Sequence, residues 1–477
     1  MESQISATAK PHVVILGAGP AGVGAAFQLT RKGLAHVTLL EECDHVGGIA
    51  GSFELSGLWV DYGSHRLHPS CDPEILKDIR TLLGDDLLNR PRHGRIKLCD
   101  RWIHFPLKPL DLVLRMPSRF AMGVMGDLIA QVTRLKSAYP EGESFLSVME
   151  TGLGRTICRD FYFPYIHKIW GLSPEELSVT QARRRVSANS ITKMMAKVLR
   201  SARGRGHFFY PRHGFGQISE AYAQAAQKAG AEIHLNSRAH SVEISKNGDK
   251  IVSYEKGGEI LSLNANHVWS TIPINIFTKG LQPSVPGDIL HAAERISYRA
   301  MVIIYLVLEQ DRFSEYDAHY FPAPEIKISR LSEPKNYSDL PGPQNLTVIC
   351  AELPCDPSDP EWNKSDEELG QLVRNDLDEA GIPIQAPVRK VITRHFQQAY
   401  PIYHQGYEVW FDRLDDLLNR IDGLLTFGRQ GLFAHDNTHH ALNMAYCAVD
   451  CLGENGYFDR QRWEAFRRVF KTHVVED

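Results

Sequence analysis

A chain of 477 residues, 43% hydrophobic and 23% charged, has the composition of a globular protein and is too long for one ordinary core, so two domains are expected. A net charge of -4 gives no reason to expect nucleic acid as the main partner. The eight cysteines contain no CxxC spacing, which points to free thiols in a reducing compartment rather than a disulfide framework.

The opening "MESQISATAK" lacks the basic-then-apolar layout of a signal peptide, and apolar runs such as "MVIIYLVL" (301–308) fall short of the roughly 20 residues that span a bilayer. A cytoplasmic location is the resulting expectation. "HVVIL" (12–16) then reads as a strand, "GAGPAG" (17–22) as a turn, "VGAAFQLTRKG" (23–33) as a helix and "HVTLL" (36–40) as a second strand. Gly17, Gly19 and Gly22 form GxGxxG, which lets the backbone approach a pyrophosphate at a helix N-terminus. Glu41, 19 residues past Gly22, is placed to accept ribose hydroxyls. Together these features predict a dinucleotide site.

Further on, residues 107–205 are rich in helix formers, and "AEIHLNSRAHSVEISKNGDKIVSYEK" (231–256) reads as strands joined by a hairpin at "KNGDK". Residues 296–415 mix strands with the polar insertion "PCDPSDPEWNKSDEELG" (354–370), and "GLLTFGRQGLF" is a late strand followed by a helix. The alternation predicts a discontinuous nucleotide-binding domain (10–106, 206–295 and 416–477) and a substrate domain built from 107–205 and 296–415.

The second glycine pair, Gly47 and Gly48, closely follows the ribose acid. In this it resembles the FAD-containing amine oxidase and protoporphyrinogen oxidase superfamily, as does the late segment with Gly428, Arg429, Asn437 and Thr438. The resemblance implies an α/β fold with a GR2-like, Rossmann-type FAD-binding domain, an inserted α+β substrate domain and a helical lid region. It also implies FAD rather than NAD as the bound cofactor, NAD(P)H as a candidate external reductant, and cofactor contacts from Val242 and His65.

Several stretches resemble UDP-galactopyranose mutases within that superfamily. They are "VDYGSHRLHPSCDPEI" with Gly63, His65 and His68, "IHKIWGLSPEELSVTQARRRV" with Trp170 and Arg184, "PEIKISRLSEPKNYS" with Arg330, and "QAYPIYHQGYEVW" with Tyr403. The resemblance implies a nucleotide-diphosphate sugar as substrate, with Arg184 and Arg330 on the phosphates, Tyr403 near a tyrosine that contacts them, Trp170 lining the sugar pocket, and reduced flavin N5 doing the chemistry. The sequence departs from the mutases at His435, where they carry a tyrosine.

Plain alternatives stand beside each role. Trp170 and Tyr403 read equally as core aromatics, and His65 and His68 as core histidines, with no metal ligands expected. Lys193, Lys197, Arg200, Arg203 and Arg205 read as a solvated face or as a peripheral membrane contact. The competing function is an FAD-dependent oxidase or dehydrogenase of an amine or an apolar ring.

Overall fold

The computed structural model describes residues 10–105, 111, 115–134, 144–185 and 206–475. The basic run from Lys193 to Arg205, read above as a solvated face or a peripheral membrane contact, lies outside the described residues. Among the described residues no helix is long and apolar enough to cross a membrane.

The first strand, His12–Leu16, is the centre of a five-stranded parallel sheet. Leu424–Thr426 and His267–Ser270 flank it on one side, His36–Leu40 and Glu232–His234 on the other. Both faces are covered, which explains the unbroken apolar run. Val13 and Ile15 point into a core shared with the helices Pro20–Arg31, Gln217–Lys228 and Thr438–Val449, while Val14 and Leu16 point into a second core on the opposite face. Gly24 allows the close helix approach, because a Cβ there would lie 2.8 Å from Leu442 Cδ2.

A four-stranded sheet, Glu259–Ala265, Lys250–Lys256, Ser237–Ile244 and Leu281–Gln282, packs beside this layer. The expected "KNGDK" hairpin joins two of its strands, with Gly248 at φ 85°. The third sheet has seven strands in the order Val388–Pro401, Tyr298–Leu308, Thr347–Cys355, Arg330–Ser332, Ala318–Tyr320, Gly94–Leu98, Arg101–Phe105. Tyr298–Leu308 is buried on both faces: Val302, Ile304 and Leu306 enter one core, and Met301, Ile303 and Tyr305 another. The helices Ser118–Arg134, Phe145–Leu153, Phe163–Trp170 and Val179–Arg185 make up the helical zone expected from 107–205.

Two expected boundaries fall inside structural units. The hairpin Gly94–Phe105, placed by sequence in the nucleotide-binding stretch ending at 106, hydrogen-bonds into the seven-stranded sheet through Ala318–Tyr320. The helix Tyr407–Arg420 crosses the boundary at 415 and packs into the core beneath the five-stranded sheet through Tyr407, Leu414 and Leu418. The stretch 354–370 is also more ordered than an insertion. Ser365 and Glu368 form a reciprocal capping box that opens the helix Asp366–Glu379, whose Leu369, Val373 and Leu377 enter the sheet core.

Candidate functional site

A cavity of about 950 Å³ runs between the two large sheets. Its first wall is the glycine turn. Gly17 adopts φ 95°, and a Cβ on Gly22 would sit 1.9 Å from the Gly17 carbonyl oxygen, so neither position tolerates a side chain. A Cβ on Gly19 would meet nothing within 4 Å, since that residue faces the open cavity. Gly19 and Pro20 begin the first helix with no side-chain cap, which leaves its N-terminal N–H groups and positive dipole end directed at the cavity.

Glu41 is buried on the cavity wall and accepts from Ala18 N at 2.6 Å and Cys43 N at 3.0 Å. These bonds fix the carboxylate and leave lone pairs for two hydroxyls. The second glycine pair has a structural reason of its own. Gly47 N donates to Ala18 O at 2.8 Å, and Gly48 lines the cavity with its Cβ position 3.4 Å from Gly19 Cα, so the two turns stack backbone on backbone. Next along the wall come Ser237, Arg238, Ala239 and His240. Val242, expected at the cofactor, lies beyond them. Its side chain is buried and its N–H donates to Gly280 O at 2.9 Å.

Arg429, Asn437 and Thr438 also line the cavity, with Thr438 opening the helix Thr438–Val449. Gly428 is not on the wall: it adopts φ 80°, and its Cβ position is 2.7 Å from Ala21 Cβ, which seats the late segment on the first helix. The uncapped helix start, the open Gly19 and the fixed acid fit a dinucleotide with its pyrophosphate at the first helix and a ribose at Glu41.

At the far end stand His65, Arg330, Glu352, Tyr400, Arg429 and His435. His65 stacks on Phe215 with ring centroids 5.3 Å apart. Burial, together with the charges of Arg330 and Arg429, pushes its pKa down to about 3, so the imidazole is neutral at ordinary pH. Arg330 donates from Nε and Nη2 to the Glu352 carboxylate, both at 2.9 Å. Burial opposes the guanidinium charge, but Glu352 outweighs it and raises the Arg330 pKa well above its ordinary value. Ser64 N donates to the same carboxylate at 2.7 Å, tying the segment that carries His65 to the pair. Glu352 escaped sequence reasoning, although an acid in the otherwise apolar strand "TVICAELPC" was a visible signal.

Of the remaining expected site residues, Trp170, Tyr403 and Arg184 gather one layer behind the wall. Trp170 is 1% exposed within an apolar core, and its ring centroid lies 5.7 Å from that of His435. Tyr403 OH donates to Phe433 O at 2.8 Å and accepts from His435 N at 3.0 Å, while burial pushes its pKa up to about 12. It thereby pins the turn in which Phe433 holds φ 48°. Arg184 Nη1 donates to Asp436 Oδ1 at 2.9 Å, with the carboxylate side chain fully buried. Burial raises the Asp436 pKa, but the His473 hydrogen bond and the Arg184 charge outweigh it and hold it below the usual carboxylate range. His68 lies away from the cavity, its Nδ1 2.7 Å from Ser70 Oγ.

Asp436, His440 and His473 bring potential metal-ligand atoms within 4.8 Å of one another, although no metal ligands were expected. The His440 and His473 rings stack 4.2 Å apart at 14°, so their in-plane lone pairs run side by side rather than converge, and Arg184 already occupies the carboxylate. That geometry is a hydrogen-bonded charge cluster.

Comparison with known proteins agrees with this reading of the cavity. The family described as "Flavin containing amine oxidoreductase" matches residues 20–421. An L-amino-acid oxidase of Bungarus fasciatus is 27% identical over 341 residues, which is 64% of this chain and 59% of that protein's length. Among solved structures, reduced UDP-galactopyranose mutase superposes with a TM-score of 0.79 over 98% of this chain and 100% of the mutase, at 18% identity. A protoporphyrinogen oxidase candidate from Exiguobacterium sp. 255-15 superposes with a TM-score of 0.71 over 93% of this chain and 98% of that one, also at 18% identity. At such identities the superpositions establish the fold alone. The chain belongs to the flavin-containing amine oxidoreductase family, as an enzyme whose cofactor is FAD.

Proposed function

We propose that this enzyme acts on a nucleotide-activated sugar in a mutase-like, redox-neutral reaction that uses reduced FAD. The observation that carries this reading is the donor-rich far end of the cavity, where Arg429 and the Glu352-paired Arg330 stand beside a neutral His65. The whole-chain superposition on UDP-galactopyranose mutase supports it, because the likeness extends through the substrate-side sheet as well as the nucleotide fold.

When bound, FAD supplies a nucleophilic ring nitrogen in its reduced state and two-electron redox chemistry in general. The chain's own contribution is binding and orientation. Two of the three Arg330 nitrogens hold Glu352, and Nη1 has no hydrogen-bond partner among the described residues, so this edge can donate to a phosphate oxygen. A neutral His65 adds a hydrogen-bonding ring without further charge. Trp170 and Tyr403 support the His435 turn from behind.

The test is anaerobic incubation of the reduced enzyme with UDP-galactopyranose and related nucleotide sugars, with chromatographic separation of ring isomers. Interconversion of pyranose and furanose forms is expected, with NAD(P)H able to serve as the external reductant. No binding and no turnover with any nucleotide sugar would refute the reading.

A second reading, an oxidase or dehydrogenase of an amine or an apolar ring, is favoured by one specific observation. Both arginines expected on a diphosphate, Arg184 and Arg330, carry internal carboxylate partners. It predicts that such a substrate bleaches the oxidised flavin without added NAD(P)H.

A further inference from the structure

We propose that Glu352 is a specificity-determining residue: it cancels the charge of Arg330 while holding its Nη1 edge toward the cavity, and so sets how much negative charge a ligand can bring there. This rests on the reading that an anionic group enters the far end of the cavity.

The geometry assigns the role. Glu352 is 3% exposed and grips Arg330 through Nε and Nη2, each at 2.9 Å, so the side-on fork of the guanidinium is taken, its orientation is fixed, and only the Nη1 edge with the outer Nη2–H is left for a ligand. The same carboxylate accepts Ser64 N at 2.7 Å. Gly63 adopts φ 125°, and a Cβ there would be 3.4 Å from Glu352 Oε1, so the segment leading to His65 is pressed against the acid. Ser64 Oγ in turn lies 2.6 Å from Tyr337 OH, which accepts from Arg66 Nη2 at 3.1 Å. The acid therefore fixes the arginine on one side and the histidine-bearing loop on the other.

The consequence is electrostatic. A ligand at Nη1 meets a neutral pair with directed N–H donors rather than a free cation. A carboxylate about 6 Å from a bound phosphate oxygen weakens anion binding by about a hundredfold at an effective dielectric constant of about 20. Removing the charge should therefore tighten anion binding, an effect that a purely structural residue would not produce.

The experiment titrates inorganic pyrophosphate into the FAD-loaded enzyme and follows the flavin difference spectrum. Glu352→Gln is expected to bind pyrophosphate about ten- to a hundredfold tighter than the wild type, whereas Glu352→Asp, which keeps the charge, stays within about threefold. Glu352→Ala serves as the neutral variant if Gln does not load FAD. Unchanged or weaker binding in a folded, FAD-loaded neutral variant would overturn the proposal, as would equal tightening in Glu352→Asp. Loss of FAD from both neutral variants would also count against it, since a structural tie would then explain the pair. Pyrophosphate carries no sugar, so a failure to turn over nucleotide sugars would refute the proposed function and leave this result standing.

Discussion

Arg184 separates a ligand-binding role from a structural one. Its guanidinium donates to Asp436, whose side chain is fully buried while that of Arg184 is 9% exposed. Arg184→Met therefore strands a buried carboxylate, for which breaking a pair costs about 3–5 kcal/mol. At about 2–4 °C per kcal/mol for domains of 150–250 residues, the unfolding temperature should fall by roughly 6–20 °C. Pairing that change with Asp436→Asn removes the charge but keeps an acceptor for His473 Nδ1, 3.1 Å away, so most of the loss should be recovered. The assay is thermal unfolding of the holoenzyme read by flavin fluorescence on release. If Arg184→Met unfolds with the wild type yet loses nucleotide binding, the arginine faces a ligand and the structural reasoning is wrong.

Three further outcomes are expected. Asp61 is buried, and although it accepts from Ser52 Oγ, Tyr210 OH and Phe215 N, burial raises its pKa from 3.8 to about 6. The folded state thus binds the extra proton between those values, so stability falls as pH rises from about 4 to about 6, by up to about 3 kcal/mol, and urea titrations of Asp61→Asn should lack this slope. Glu41→Ala orphans Ala18 N and Cys43 N and removes the ribose acceptor, so FAD affinity measured by fluorescence should drop at least about a hundredfold. Lys168 Nζ donates to three carbonyls, those of Phe321, Ala323 and Ile328, and Lys168→Met should lower stability by about 3 kcal/mol or more in denaturant titrations without changing the bound flavin's spectrum.

What could be read from the sequence was local. The strand, GxGxxG turn, helix and Glu41 lie within 30 residues, and their spacing alone dictates the strand–turn–helix geometry that the structure reproduces. The capping box at Ser365 and Glu368 is equally local, but the prolines ahead of it give the stretch the look of a loop. Charge pairing was not legible. Arg184 and Asp436 are 252 positions apart, and Arg330 meets Glu352 only because neighbouring antiparallel strands put them in register. Trp170 and Tyr403 lie on segments that look like pocket walls, but His435, the residue that departs from the mutase pattern, fills the wall in front of them.

The most direct test of the account is a crystal structure of the reduced, FAD-loaded enzyme soaked with UDP-galactopyranose. The expected result is FAD with a ribose on Glu41, its pyrophosphate at the N-terminus of Pro20–Arg31, and a substrate phosphate oxygen on Arg330 Nη1 with the Glu352 pair intact. A diphosphate bound elsewhere, or a far end that takes only an uncharged apolar ligand, would contradict it.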